Sequence, residues 1–359
     1  MTRSQVAVLR TRPATVVEDY GRLMRLVKYD QVLSRDTDLI VKLNLSWTKY
    51  FPACSSQPWQ VDGILATLLA DGYDRARILP VENRTVVTDP VQGCRNNKWE
   101  PVLRRHGLPF VPLTDVEWTV YPFKTPLLKL NDIFPEGIQI PKMYIGKNVC
   151  HAPTTKTHGH TTTTGAIKNA FGGLLKEVRH YAHEFIHEVM VDLMLMQREL
   201  HPGVIAVMDG TVMGDGAGPR TMVPRVGNLI LASADQVAID AIAAKVMGFD
   251  PLTIPYLRMC HERGLGVADP REIEIVGDPD AAEVSMGFTT SRSLVIWGDQ
   301  LIRRGPLRPL KRLLLHSPLV VWAPLASNVY HDWLWYPTVG RSRIRAFAGT
   351  PWGRHFETY

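Results

Sequence analysis

Short apolar runs alternate with helical patterns along most of the chain, and that order restricts the fold more than any other feature. Residues 39–45 are mostly apolar, residues 60–71 place Ile64, Leu65, Leu68 and Leu69 at helical spacing, and residues 77–81 form a second apolar run after the turn Asp71-Gly72. Strand, helix and strand in that order pair as parallel neighbours under a crossover helix. The pattern returns with apolar runs at 204–208 and 228–232, a helix over 235–247 and a last run at 273–276. The prediction is an α/β fold, a largely parallel sheet flanked by helices, with a basic, Trp-rich C-terminal extension. An edge strand over 5–9 and an amphipathic helix over 16–27 come first. The expected divisions are 1–35, an α/β body over 36–280, and an extension over 281–359.

Hydrophobic residues make up 45% of the 359 and charged residues 21%, which excludes a disordered or coiled-coil chain. The net charge is +6, yet residues 301–359 hold nine Lys and Arg against two acids, so residues 1–300 carry −1. A body so nearly neutral is not built to neutralise nucleic acid, and no nucleic-acid partner is expected. Arg303, Arg304, Arg308, Lys311 and Arg312 stand beside Leu313–Leu315, Val320–Trp322, Trp333 and Trp335. That mixture fits a segment lying on an anionic membrane surface; the alternative is apolar packing on the body with the arginines solvated. Residues 313–331 are uncharged but contain Pro318 and Pro324, which argues against a spanning helix. The N-terminus lacks the apolar stretch of a secretory signal, so a cytoplasmic location is expected, with peripheral membrane association through the extension. Cys54, Cys94, Cys150 and Cys260 are too far apart in sequence for a CxxC zinc pair or a ferredoxin-type cluster motif. Whether the fold brings them together stays open.

Chemistry concentrates in one segment. Seven of the 12 histidines lie between His151 and His201. Residues 153–164 run PTTKTHGHTTTT, and Gly165 then opens a helical pattern that includes Lys168. Thr163 or Thr164 is the expected N-cap. A helix N-terminus offers unpaired N–H groups and a partial positive charge, so with Thr164 and Lys168 it suits a phosphate or carboxylate. The alternative is a well-capped helix with a solvated lysine. His158 and His160 are spaced to face one ligand or metal. His183-Glu-Phe-Ile-His187 matches HExxH, in which an α-helix presents both imidazoles on one face to zinc; one helix is expected over 176–198. Asp235 precedes a helix, where a cap is its simple explanation, and Asp240 lies inside an apolar helix, where a buried carboxylate needs a partner such as Lys168 or a metal.

The same segment resembles the hallmark of the DUF362 family. Pro153, Lys156, Thr157, His158, Thr161, Thr164, Gly165, Ala166, Lys168, Asn169, Phe171 and Gly172 fall in register with it. Asp209-Gly210 with Gly216 and Gly218-Pro219 follows, then Ser233-Ala-Asp235, Val237-Ala238 and Asp240. Lys42, Asn44 and Leu45 match a strand end upstream. Thr154, Leu43 and Gln236 depart from the pattern, which has lysine, proline and proline there. The resemblance covers residues 39–277. It implies kinship with proteins of which many look like iron–sulfur proteins carrying a ferredoxin module; this chain has no such motif.

From these readings comes an expected site at strand ends. His158, Lys168 and Asp209 would be catalytic, with His158 as acid, base or metal ligand and Asp209 as its charge partner. Lys42, Asn44, Lys156, Thr161, Thr164, Gly165, Asn169 and Asp235 would bind a small anionic substrate or cofactor. A divalent metal or metal-containing cofactor would sit on His158, His160 and Asp209, or alternatively on His183 and His187. An oxidoreductase or isomerase is favoured over a hydrolase; an electron-transfer or cofactor-carrying protein and a zinc peptidase are the competing classes.

Overall fold

The computed structural model describes residues 4–85, 87–303, 305, 309 and 322–359. Its strands are β1 (Ser4–Arg10), β2 (Leu39–Lys42), β3 (Ile78–Glu82), β4 (Val111–Pro112), β5 (Trp118–Val120), β6 (Gln139–Pro141), β7 (Asn148–His151), β8 (Thr154–His158), β9 (Thr162–Thr163), β10 (Val204–Ala217), β11 (Thr221–Ser233) and β12 (Ile273–Gly277). The main sheet runs β12-β1-β11-β10-β7-β2-β3-β4, with β8 against β10 and β9 against β8. Pairing is parallel from β10 through β7, β2 and β3 to β4. It is antiparallel in the long β10–β11 hairpin and between β1 and β11. The predicted α/β class with a mostly parallel sheet is the one observed.

Helices cover both faces. The principal ones are α1 (Val16–Leu26), α2 (Tyr29–Val32), α3 (Pro58–Ala70), α4 (Pro90–Asn96), α5 (Trp99–His106), α6 (Leu130–Ile133), α7 (Ala166–Leu174), α8 (Ile186–Leu200), α9 (Gln236–Met247), α10 (Pro255–Glu262) and α11 (Leu294–Arg303). Successive strand residues point to opposite faces, and the core divides accordingly. Val6, Val8 and Ile40 pack beneath α7, α8 and α9, whereas Ala7, Leu9, Leu39 and Val41 pack beneath α1, α3 and α5. All four residues of β2 are buried, as a strand covered on both sides requires.

Three expectations change. Strand β1 is not at the edge: it lies between β11 and β12, and its central Val6–Leu9 are buried. The strand expected over 204–208 does not stop there: β10 runs on through Asp209-Gly210 to Ala217, with a register shift between Gly210 and Val212. The reversal comes later, at the cis Gly218-Pro219 bond. The helix expected over 176–198 is divided: tight 3₁₀ turns cover Glu177–Phe185, and α-helix begins only at Ile186.

The end of the chain returns to the body. Trp352 packs on Trp59 at 5.0 Å between rings and donates to Asn228 Oδ1, and Tyr359 donates to Asp62. Residues 322–348 are continuously helical and lie against Trp47, Phe51 and Met222. Arg304, Arg308, Lys311, Arg312, Leu313–Leu315 and Val320-Val321 of the expected membrane segment lie outside the described residues. Among the described residues, no helix is long and apolar enough to cross a membrane.

Candidate functional site

Parallel sheets place ligands beyond the carboxyl ends of their strands. At that end of β2 and β7 the chain leaves the sheet through Asn44 on one side and Pro153-Thr154 on the other. Strand β8 then runs beside β10, turns back through β9, with His158 opposite Thr162, and reaches Gly165 and α7. These segments border a small cleft lined by Asn44, Ser46, Pro153, Thr154, His158, Thr164, Gly165, Lys168, Asn169 and Pro219. Among these described lining residues none is Asp or Glu. Six of the expected site residues therefore meet: Asn44, His158, Thr164, Gly165, Lys168 and Asn169.

Their hydrogen bonds define what the cleft presents. The backbone N–H of His160 donates to His158 Nδ1 at 3.1 Å. Burial, then the charge of Lys168, holds the His158 imidazole well below its ordinary pKa. It is therefore neutral near pH 7, and with Nδ1 accepting, its proton sits on Nε2. Asn169 Nδ2 donates to the Lys42 carbonyl at 2.9 Å, which fixes the amide at the start of α7. Behind the wall Lys156 donates to Asn44 Oδ1, to Thr154 Oγ1 at 2.6 Å and to the Cys54 carbonyl at 2.7 Å. All three acceptors are neutral, and burial draws the Lys156 ammonium down to about 8.

The start of α7 differs from expectation in its chemistry. Neither Thr163 nor Thr164 caps it. The Asp240 carboxylate of α9 does, accepting from the N–H groups of Ala166 at 2.6 Å and Ile167 at 3.2 Å. The partner that this buried acid needs is thus a pair of backbone amides, not Lys168 or a metal. Gly165 makes the approach possible, since a Cβ there would lie 2.1 Å from Asp240 Oδ1. The carboxyl group that occupies the first two amides of the helix is one the protein supplies itself.

Other expected residues are elsewhere. Asp209 is not beside His158: fully buried, it accepts from Tyr20 Oη at 2.7 Å, Trp59 Nε1 at 3.0 Å and the Thr211 N–H and hydroxyl, which ties α1 and α3 to β10. Asp235 caps α9 through Val237 and Ala238 and accepts from Ser4 and from the Val267 N–H. Lys42 is buried in an ion pair with Glu82 at 2.6 Å. The Thr161 hydroxyl donates to the Thr163 carbonyl. Ser46 and Pro219 line the cleft without having been expected; only folding brings loop 45–57 and the β10–β11 turn together.

The helix break separates the HExxH histidines. His183, in the 3₁₀ turns, lies 5.4 Å from His160 and 5.7 Å from Phe171 between rings, whereas His187 stacks on Tyr256 at 6.1 Å. The shared α-helical face that zinc would need is not formed, so His183 belongs with His158 and His160 rather than with His187. Among the described residues, no group of three or more His, Cys, Asp or Glu is placed to hold a metal ion. The four cysteines are buried and none is disulfide-bonded.

Comparison with known proteins gives likenesses of three kinds. The chain is 26% identical over 155 residues to a thylakoid-associated protein of Synechocystis sp., across 41% of this chain and 43% of that protein, so it spans less than half of that relative's length. A crystal structure of a protein from Thermotoga maritima is similar over 64% of this chain and 57% of that one, at 12% identity and a TM-score of 0.37. The family described as domain of unknown function (DUF362) matches residues 39–245, which hold β2, the whole cleft segment and nearly all of α9. With more than half its length matched, and the cleft inside the matched part, the chain belongs to the DUF362 family.

Proposed function

We propose that the cleft binds a small molecule bearing a phosphate or carboxylate group, and that His158 and Lys168 engage that group. The carrying observation is the lining itself: one lysine, a neutral imidazole, two amides and two threonine hydroxyls, with no acid among the described lining residues. Lys156 supports this from behind, because its ammonium donates to three neutral oxygens. In this reading Lys168 supplies charge, and His158 Nε2–H and the Asn169 and Thr164 side chains set orientation. His158, with Nδ1 already accepting, is a hydrogen-bond donor toward the ligand rather than a base.

Titration with inorganic phosphate and a panel of phosphorylated and carboxylated metabolites, followed by calorimetry, tests the reading. Lys168→Ala is expected to weaken the tightest binder by about tenfold, roughly 1.4 kcal/mol for a charge-assisted contact. His158→Ala is expected to do at least as much, with circular dichroism unchanged. Unaltered affinity in both folded variants, or no binder in the panel, would sink the proposal.

A further inference from the structure

We infer that the outer face of the helical stretch 322–348 is a docking surface for an anionic lipid bilayer, a second site separate from the cleft and independent of what the cleft binds. The inner face of this stretch is fully engaged. Asp332 accepts from Trp47 Nε1 at 2.6 Å, Trp335 packs on Phe51 at 5.3 Å, and Tyr336 donates to the Tyr50 carbonyl at 3.0 Å. Arg343 donates to the Met222 carbonyl at 2.6 Å, and Arg220 donates to Ser327 at 3.3 Å. The stretch is thus held against the body along this face.

Its other face is apolar and open. Trp333 is 69% exposed, Leu325 61%, Leu334 59% and Val339 40%. Arg341 and Arg345 continue the exposed side one and two turns on. A lone exposed leucine needs no explanation, but a tryptophan and two leucines, each more than half exposed, on one helical stretch do. Tryptophan beside leucine, flanked by arginine, is the composition of helices that lie in the headgroup region of a membrane.

Charge selects the partner. Asp332 is the only acidic residue between positions 301 and 356, and it is turned inward onto Trp47, so it does not repel an anionic surface. Arg303, Arg304, Arg308, Lys311 and Arg312 precede the stretch in sequence. Clustered basic residues beside inserted aromatic and aliphatic side chains favour leaflets rich in anionic lipid over neutral ones. Pro219 of the cleft wall adjoins Arg220, which holds this stretch through Ser327. Docking would therefore set the cleft close to the lipid surface.

Liposome flotation with the full chain tests the inference, using phosphatidylcholine vesicles with and without phosphatidylserine. The expected result is flotation with the phosphatidylserine vesicles, several-fold less with phosphatidylcholine alone, and a fall with added salt. Trp333→Ser with Leu334→Ser should cut the bound fraction at least tenfold. Arg341→Glu with Arg345→Glu, which leaves the apolar residues in place, should cut it several-fold and independently guards against misfolding of the first pair. Absence of flotation, or flotation unchanged by both pairs, would overturn the inference. So would a dimer by light scattering that the first pair dissociates while vesicles capture nothing, since the face would then be an interface between copies of the chain.

Discussion

Asp209→Ala is expected to destabilise the fold by about 3–5 kcal/mol, a large share of the roughly 5–15 kcal/mol that holds a typical domain together. Both carboxylate oxygens are used: Oδ2 accepts from Tyr20 and Trp59, and Oδ1 from the Thr211 N–H and hydroxyl. Removing the acceptor leaves a phenol and a backbone N–H buried without the oxygens that receive them, and each such group costs about 1–3 kcal/mol, while the Trp59 indole N–H keeps the Thr211 hydroxyl at 3.1 Å. Asp209→Asn should lose less, about 1–3 kcal/mol, because one oxygen remains while the new NH₂ must face a donor. Urea denaturation at neutral pH reads both. An alanine variant within about 1 kcal/mol of the parent would overturn the anchoring role. An alanine variant of full stability that no longer binds the cleft's ligand would restore the site role that position alone suggests for Asp209.

That contrast marks where the sequence stops being informative. The alternation of apolar runs and helical spacing carried the sheet because burial on both faces leaves a local trace, as in residues 39–42. The register of residues 153–172 carried five of the ten cleft residues, because a strand, a tight return and a helix start are contiguous and bring their own side chains together. Asp209 and Asp235 share the same family pattern yet serve as buried anchor and helix cap. A carboxylate before a helix or after a strand reads alike in sequence whether it faces a ligand or an indole far away along the chain. Lys42 is similar: its partner Glu82 lies one strand over, and nothing local announces it. The HExxH spacing failed for a related reason. Helical periodicity assumes a continuous α-helix, and the 3₁₀ turns ending at Phe185 change the rotation between His183 and His187. Ser46 and Pro219 reach the cleft only through tertiary contact.

Stability should also report the carboxylate that closes α7. Asp240 is buried at the start of that helix, close to Asp235, Tyr256 and Cys260, and burial, with a smaller push from Asp235, raises its carboxyl to about 7 despite the two amides it accepts. In the unfolded chain the same group titrates near about 3.9. The folded protein therefore retains a proton that the unfolded chain has released. The resulting stability is complete below the unfolded value, declines as pH rises, and is gone once pH passes the folded value. Buried His151 and His201, held down to about 3 and about 4, act in the opposite sense and lose stability as pH falls below their unfolded range. The whole-protein curve mixes the two, so the informative quantity is the difference between the parent and Asp240→Asn. The asparagine keeps one acceptor for the Ala166 N–H but turns an NH₂ toward Ile167, so the variant should be the weaker fold at about pH 4.5. As pH rises to about 8 its stability relative to the parent should improve by as much as about 3 kcal/mol, because each pH step of one between that starting pH and the folded value changes the balance by about 1.4 kcal/mol. Urea midpoints for the two proteins at several pH values check this, and a difference that does not vary with pH would mean that Asp240 stays ionised throughout and closes α7 as a permanent charge.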